Sequence, residues 1–121
     1  MDTNSGDIFA KVTLHLIAAY GIVMKALQNL PLPIEVPAIL GTHYDAEIAD
    51  RLVRSLDLLV DIPMGDEKRE AVRALVIDWL VARDYLFQAE EDLELWKLDF
   101  TVTQITRVHA RWKRIQEGDE K

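Results

Sequence analysis

Four carboxylates lie close together in the run Glu90-Glu91-Asp92-Leu93-Glu94. On a helix, residues three or four positions apart share a face, so Glu91 and Glu94 would point in the same direction. Carboxylate oxygens are the ligands that hard cations such as magnesium take. Metal-assisted phosphoryl chemistry is therefore the first chemistry that the residue types bring into consideration.

The Glu-Glu-x-x-Glu spacing of this run resembles the first magnesium motif of all-helical nucleotide pyrophosphohydrolases. The resemblance implies a magnesium-dependent nucleotide phosphohydrolase, and that family carries a second Glu-x-x-Asp pair further along the chain. Here Glu117 and Asp119 follow at a different spacing, within the charged tail. A solvated acidic face is therefore the favoured interpretation of residues 90–94.

Histidines offer a second chemistry. His43, Glu47 and Asp50 stand at offsets of four and three, and imidazole with two carboxylates can bind a transition metal. His43 precedes the expected helix start, so a solvated cap region is favoured, and His15 is interpreted as a hydrogen-bonded or surface histidine. The chain has no cysteine, which excludes disulfides and cysteine-based chemistry. We expect no metal site and no cofactor.

The C-terminal segment suggests nucleic-acid binding. Residues 100–108 resemble the turn and recognition helix of helix-turn-helix proteins, which implies side chains for base edges and others for phosphates. The first set is Thr103, Gln104, Thr106 and Arg107, and the second is Arg111, Lys113 and Arg114. The segment departs from the pattern because Asp99 replaces the usual turn glycine and Trp96 is bulky.

The same segment also fits a protein-docking helix. Its apolar positions recur at helical spacing between basic residues, and tryptophan and arginine are enriched in the hot spots of protein interfaces. Residues 101–116 contain four basic residues and no acidic residue, whereas the whole chain has a net charge of −7. An acidic protein is a poor match for broad nucleic-acid binding, so docking is the favoured interpretation. The apolar positions are Ile105, Val108, Trp112 and Ile115.

Proline and hydrophobic spacing predict four helices and no strands. The first helix is expected over 7–29, ended by Pro31, and nearly apolar all round. A proline-rich connector over 31–44 should pack back onto the core. A second helix is expected over 45–61, ended by Pro63.

The third helix shows the clearest pattern. Apolar residues alternate by three and four from Val72 to Phe100, which predicts one long helix over about 66–99. A capping-box pattern, Thr101 to Gln104, then predicts the start of a fourth, basic helix, with one continuous helix as the alternative. Asp78 falls on the apolar side of the third helix, so it should pair with a base such as Arg73 or one from another helix.

The N-terminal region predicts a cytoplasmic protein. The first six residues are polar and include an acid, where a signal peptide has a basic start. Only thirteen residues separate Lys11 from Lys25, and they include Thr13 and His15, whereas a membrane span needs about 20 apolar residues. The first helix is therefore interpreted as a buried core helix.

These observations predict one all-α, four-helix bundle-like domain over 7–117, with disordered ends at 1–6 and 118–121. The apolar first helix and the overlong third helix predict a homodimer that also binds another protein, with no membrane. The leading function is a non-enzymatic protein–protein interaction module, an adaptor, accessory subunit or small regulatory protein. A DNA-binding regulator and a phosphohydrolase are the alternatives. The predicted interface residues are Trp79, Leu86, Leu93, Trp96, Ile105, Val108, Trp112 and Ile115.

Overall fold

The described part of the chain is mostly helical. The computed structural model describes residues 3–39 and 46–119, and no strand occurs within those ranges. The predicted all-α, four-helix architecture is confirmed. The helices are α1 (Thr3–Gln28), α2 (Ala46–Leu59), α3 (Asp66–Asp92) and α4 (Trp96–Asp119).

Helix α1 lies against both α3 and α4. It begins at Thr3 rather than near Asp7 and ends shortly before Pro31, which has no backbone N–H to continue the helix. The indole N–H of Trp79 donates to the Leu16 carbonyl at 2.8 Å. This bond and the apolar inner side of α1 fix the helix across the α3–α4 pair.

The outer side of α1 carries apolar as well as charged side chains. Ile8 and Leu14 are exposed there. By length and composition alone, the segment Gly6–Gln28 could cross a membrane, with a mean hydropathy of 1.5 over its most apolar window. Core helices of soluble proteins and signal sequences have the same properties, so the cytoplasmic location stays a prediction.

The connector after α1 packs back onto the core, as predicted for its described part. Ile34 and Val36 are buried, and the Ile34 N–H donates to the Leu27 carbonyl at 3.0 Å. The hydroxyl of Tyr20 donates to the Pro37 carbonyl at 2.5 Å, which ties the connector to α1. Burial raises the pKa of Tyr20 to about 12.

Helix α2 packs on α3, and Arg69 closes the turn between them. Its guanidinium donates to the carbonyls of Leu59 at 3.0 Å and Ile62 at 2.6 Å. It also donates to Asp66 at 2.7 Å. The last carbonyls of a helix have no hydrogen-bond donor within the helix. The Arg69 side chain supplies donors to carbonyls at and just after the end of α2.

Helices α3 and α4 form an antiparallel hairpin around a turn at residues 93–95. The prediction of a helix to residue 99 is wrong, because α3 ends at Asp92 and Leu93 adopts the left-handed conformation (φ 55°, ψ 29°). The N–H of Leu93 donates to the Ala89 carbonyl and closes the last turn. A single continuous helix to residue 116 is excluded for the same reason.

The predicted cap at Thr101 is also wrong. Thr101 lies inside α4, fully buried, and its hydroxyl donates to the Lys97 carbonyl at 2.9 Å. A threonine hydroxyl can donate a hydrogen bond to a carbonyl of the preceding helical turn. The capping-box sequence pattern is therefore also compatible with the interior of a helix. Helix α4 therefore begins at Trp96 and extends to Asp119.

Candidate functional site

Three aromatic rings form a cluster at the α3–α4 turn. The Phe100 ring lies 5.4 Å from that of Tyr85 on α3 and 5.3 Å from that of Trp96, edge to face. Trp96 is 52% exposed and Phe100 is 46% exposed. We call this surface, with Leu93 and Leu95 beside it, the junction patch.

The two leucines of the junction patch are the turn itself. Leu93 is 73% exposed and Leu95 is 50% exposed. Leu93 is the only non-glycine residue with a positive φ in the described ranges. A side chain in the left-handed region costs roughly 1–2 kcal/mol, and glycine or asparagine usually stands there. This leucine thus carries a backbone cost and gains little burial within the chain.

Acidic side chains lie beside the patch, and Lys97 forms ion pairs with two of them. Its amine donates to Asp92 and lies 3.4 Å from Glu94, while it also sits 5.5 Å from the Trp96 ring centre. The hydrogen bond to Asp92 raises the pKa of Lys97. Asp99 is exposed on the first turn of α4. The patch is therefore apolar at its centre and acidic at its rim.

The C-terminal half of α4 has the opposite charge. Arg107, Lys113 and Arg114 are exposed and form no ion pair with any described residue. Arg111 differs, because its Nε donates to the Asp78 carboxylate at 2.6 Å. Asp78 is buried on α3, so the expectation of a base from another helix is confirmed. This half of α4 thus combines one internal ion pair with three outward cations.

The predicted interface residues divide into three groups by burial. Trp112 is partly buried, and five others are buried in the chain's own core. Leu93 and Trp96 are exposed in the junction patch. The pattern could not separate the groups, since all share one periodicity. The five core residues are Trp79, Leu86, Ile105, Val108 and Ile115.

The helix-turn-helix geometry is not formed at residues 99–101, because α4 runs without interruption from Trp96 to Asp119. The hydroxyls of Thr103 and Thr106 donate to the carbonyls of Asp99 and Val102, each at 2.9 Å. Gln104 is half-buried. The prediction of a turn before the recognition helix is therefore wrong. Contact of α4 with DNA stays a prediction.

The acidic run does not form one helical face. Glu90 and Glu91 are exposed on the last turn of α3, whereas Glu94 lies beyond the helix end. Within residues 3–39 and 46–119, no group of three or more metal-ligating side chains comes together. Glu47 and Asp50 are exposed on α2, and their expected partner His43 lies outside the described residues.

A groove of about 540 Å³ lies at the other end of the hairpin, between the first turns of α3 and the last turns of α4. Its lining offers charged groups and no histidine or hydroxyl. The side chains that line it are Glu67, Lys68, Ala71, Arg111, Arg114 and Ile115.

Sequence reasoning missed Tyr85, Leu95 and Phe100 as members of an exposed surface. The available signal was the density of aromatic and apolar residues around the acidic run. Comparison with known proteins adds no further assignment: no protein-family model, no curated protein and no solved structure matches this chain significantly.

Proposed function

We propose that this chain is a non-enzymatic helical protein–protein interaction module that forms a homodimer through the junction patch. The observation that carries the proposal is the exposed aromatic cluster at the α3–α4 turn, where Phe100 contacts both Tyr85 and Trp96. An apolar surface with a polar rim is typical of a protein-binding site. Tryptophan and tyrosine are among the residues that dominate interface energies.

The aromatic rings of the patch contact one another within a single copy. Aromatic pairs in tilted or edge-to-face contact stabilise one another by about 0.5–1.5 kcal/mol beyond their buried area. The Trp96 ring meets the Phe100 ring edge to face, and the Lys97 amine lies 5.5 Å from its centre. Because these two contacts restrict the Trp96 side chain within one copy, binding should lose less side-chain entropy, which is the usual gain from preorganisation.

Leu93 supports the proposal from the backbone. A left-handed leucine destabilises the turn, and its exposed side chain returns little of that cost within one copy. Burial of a leucine side chain contributes about 1.5–3 kcal/mol, enough to offset the strain. A partner over the patch would supply that burial.

Charge favours a second copy as the occupant. The acidic rim of the patch includes Asp99, and the same helix presents Arg107, Lys113 and Arg114 as outward cations. Two copies can therefore each provide a surface complementary to the other. Complementary potentials of this kind raise association rates and specificity.

Sedimentation velocity over a range of micromolar concentrations tests the proposal. We expect the wild-type protein to be dimeric and Trp96→Ala to raise the dimer Kd about 10-fold or more, since an interface aromatic is removed. Leu93→Gly should weaken the dimer while leaving the fold intact or more stable, because glycine relieves the backbone strain.

Leu58→Ala is the matched control, since Leu58 is an exposed leucine on α2 outside the patch. Its dimer Kd should equal that of the wild type. The proposal would be refuted if the wild-type protein stayed monomeric at about 100 micromolar, or if the dimer Kd were unchanged in both patch variants.

A further inference from the structure

We infer that the second copy binds antiparallel, with α4 of each copy packed along α4 of the other, so that each junction patch meets the basic half of the opposite helix. This inference rests on the proposed homodimer and adds the partner's surface, its direction and its register.

One stripe of α4 carries the inference. Its residues recur at alternating intervals of four and three, so they share one face of the helix. Every one of them is exposed, and they run from an aromatic end to a basic end. We call them the outer stripe: Trp96, Phe100, Thr103, Arg107, Ala110 and Arg114.

The residue sizes along the outer stripe favour an antiparallel register. In that register Trp96 meets Arg114 of the second copy, and an arginine over a tryptophan face is a favourable cation–π pair. Phe100 meets the small side chain of Ala110, so a large residue faces a small one. Thr103 meets Arg107 near the two-fold axis, and each of these contacts occurs twice.

A parallel arrangement of the same stripe is unfavourable. It would place Arg107 against Arg107 and Arg114 against Arg114, and like charges in contact repel. It would also place the aromatic end of one copy against the aromatic end of the other, which brings the acidic rims of the two copies close together. The outer stripe therefore matches itself in one direction only.

The flank of the stripe points to the same register. Asp99 and Lys113 lie on one side of it, both exposed and neither in an ion pair within the described residues. In an antiparallel helix pair, residues on the same flank face each other across the axis. Asp99 of each copy would then meet Lys113 of the other, giving two equivalent ion pairs.

Charge reversal tests the register. Asp99→Lys or Lys113→Asp alone should raise the dimer Kd about 10-fold, because each creates two like-charge contacts. The double variant Asp99→Lys/Lys113→Asp should return the Kd to near the wild-type value. Glu47→Lys, an exposed reversal on α2, is the control and should leave the Kd unchanged.

Disulfide trapping tests the direction, because the chain has no cysteine of its own. Thr103→Cys mixed with Arg107→Cys should form a mixed disulfide dimer under mild oxidation, whereas each variant alone should cross-link weakly. A parallel pair would give strong cross-links within each single variant. Val53→Cys, at an exposed position of α2, controls for cross-links that form by random collision of two molecules.

The two proposals fail differently. If the wild type is a dimer, but the double reversal does not restore it and the mixed disulfide does not form, the antiparallel arrangement is wrong while the interaction module stands. If the wild type sediments as a monomer, both are overturned.

Discussion

Trp79 and Trp96 lie in two regions of the same hairpin with opposite surroundings. Trp79 is 0% exposed: α1 crosses it, the Tyr20 ring lies 5.1 Å away, and its N–H donates to Leu16. Trp96 is 52% exposed, and its ring contacts are Phe100 and Lys97. The same side chain thus stabilises the fold where a helix covers it and is available to a partner where none does.

The largest expected effect breaks the covered end. Trp79→Ala should lower the free energy of unfolding by about 3–5 kcal/mol, since it leaves a cavity under α1 and removes a buried hydrogen bond. Trp96→Ala should change the stability of one copy by less than about 1 kcal/mol. Urea unfolding at several protein concentrations distinguishes a loss of stability in one copy from a loss of dimer affinity. Equal losses in the two variants would contradict the comparison.

The next effect concerns the ion pair beside Trp79. Arg111→Ala should destabilise the fold by about 1–3 kcal/mol, because it leaves the buried Asp78 carboxylate without its charged partner. The range allows for Arg111, whose side chain is about a third exposed and therefore partly screened by water.

Arg107→Ala is the matched comparison, since Arg107 is exposed and forms no ion pair with the described residues. It should lower the free energy of unfolding of one copy by no more than about 0.5 kcal/mol. A double-mutant cycle with Asp78→Ala measures the coupling. A coupling near zero would mean that the pair does not hold α4 to α3.

The smallest effect appears at alkaline pH, at Tyr20 beside Trp79. Burial raises its pKa to about 12 from the ordinary 10.0, so the folded protein holds this proton more tightly than the unfolded chain. The resulting stabilisation is complete below pH 10 and is lost as the pH rises through 12. Between pH 8 and pH 11 the Tm of Tyr20→Phe should fall less than that of the wild type. Identical slopes would show that Tyr20 does not titrate differently in the two states.

Hydrophobic spacing identified the helices because a helix must gather apolar side chains on one face to bury them. From Val72 to Ala89, every position of the predicted pattern is buried in α3. The pattern failed at Leu93, which fits the spacing but lies in the turn. Periodicity records side-chain character, whereas the left-handed backbone there depends on how the hairpin closes.

The sequence also predicted the candidate site only in part. A buried acid at Asp78 required a partner, and the sequence narrowed it to a base nearby or on another helix. Arg111 became that partner because the antiparallel hairpin brings residues of α3 and α4 together across a turn. Tyr85 and Phe100 met for the same reason, although they are distant from each other in the sequence.

The sequence by itself determined the helical class, the apolar faces and the separation of acidic from basic segments, since these depend on residue type and local spacing. Tertiary structure decided which apolar residues are covered, where α3 ends, and which acid pairs with which base. Those outcomes depend on contacts between distant parts of the chain, and local spacing carries no information about what crosses a given face.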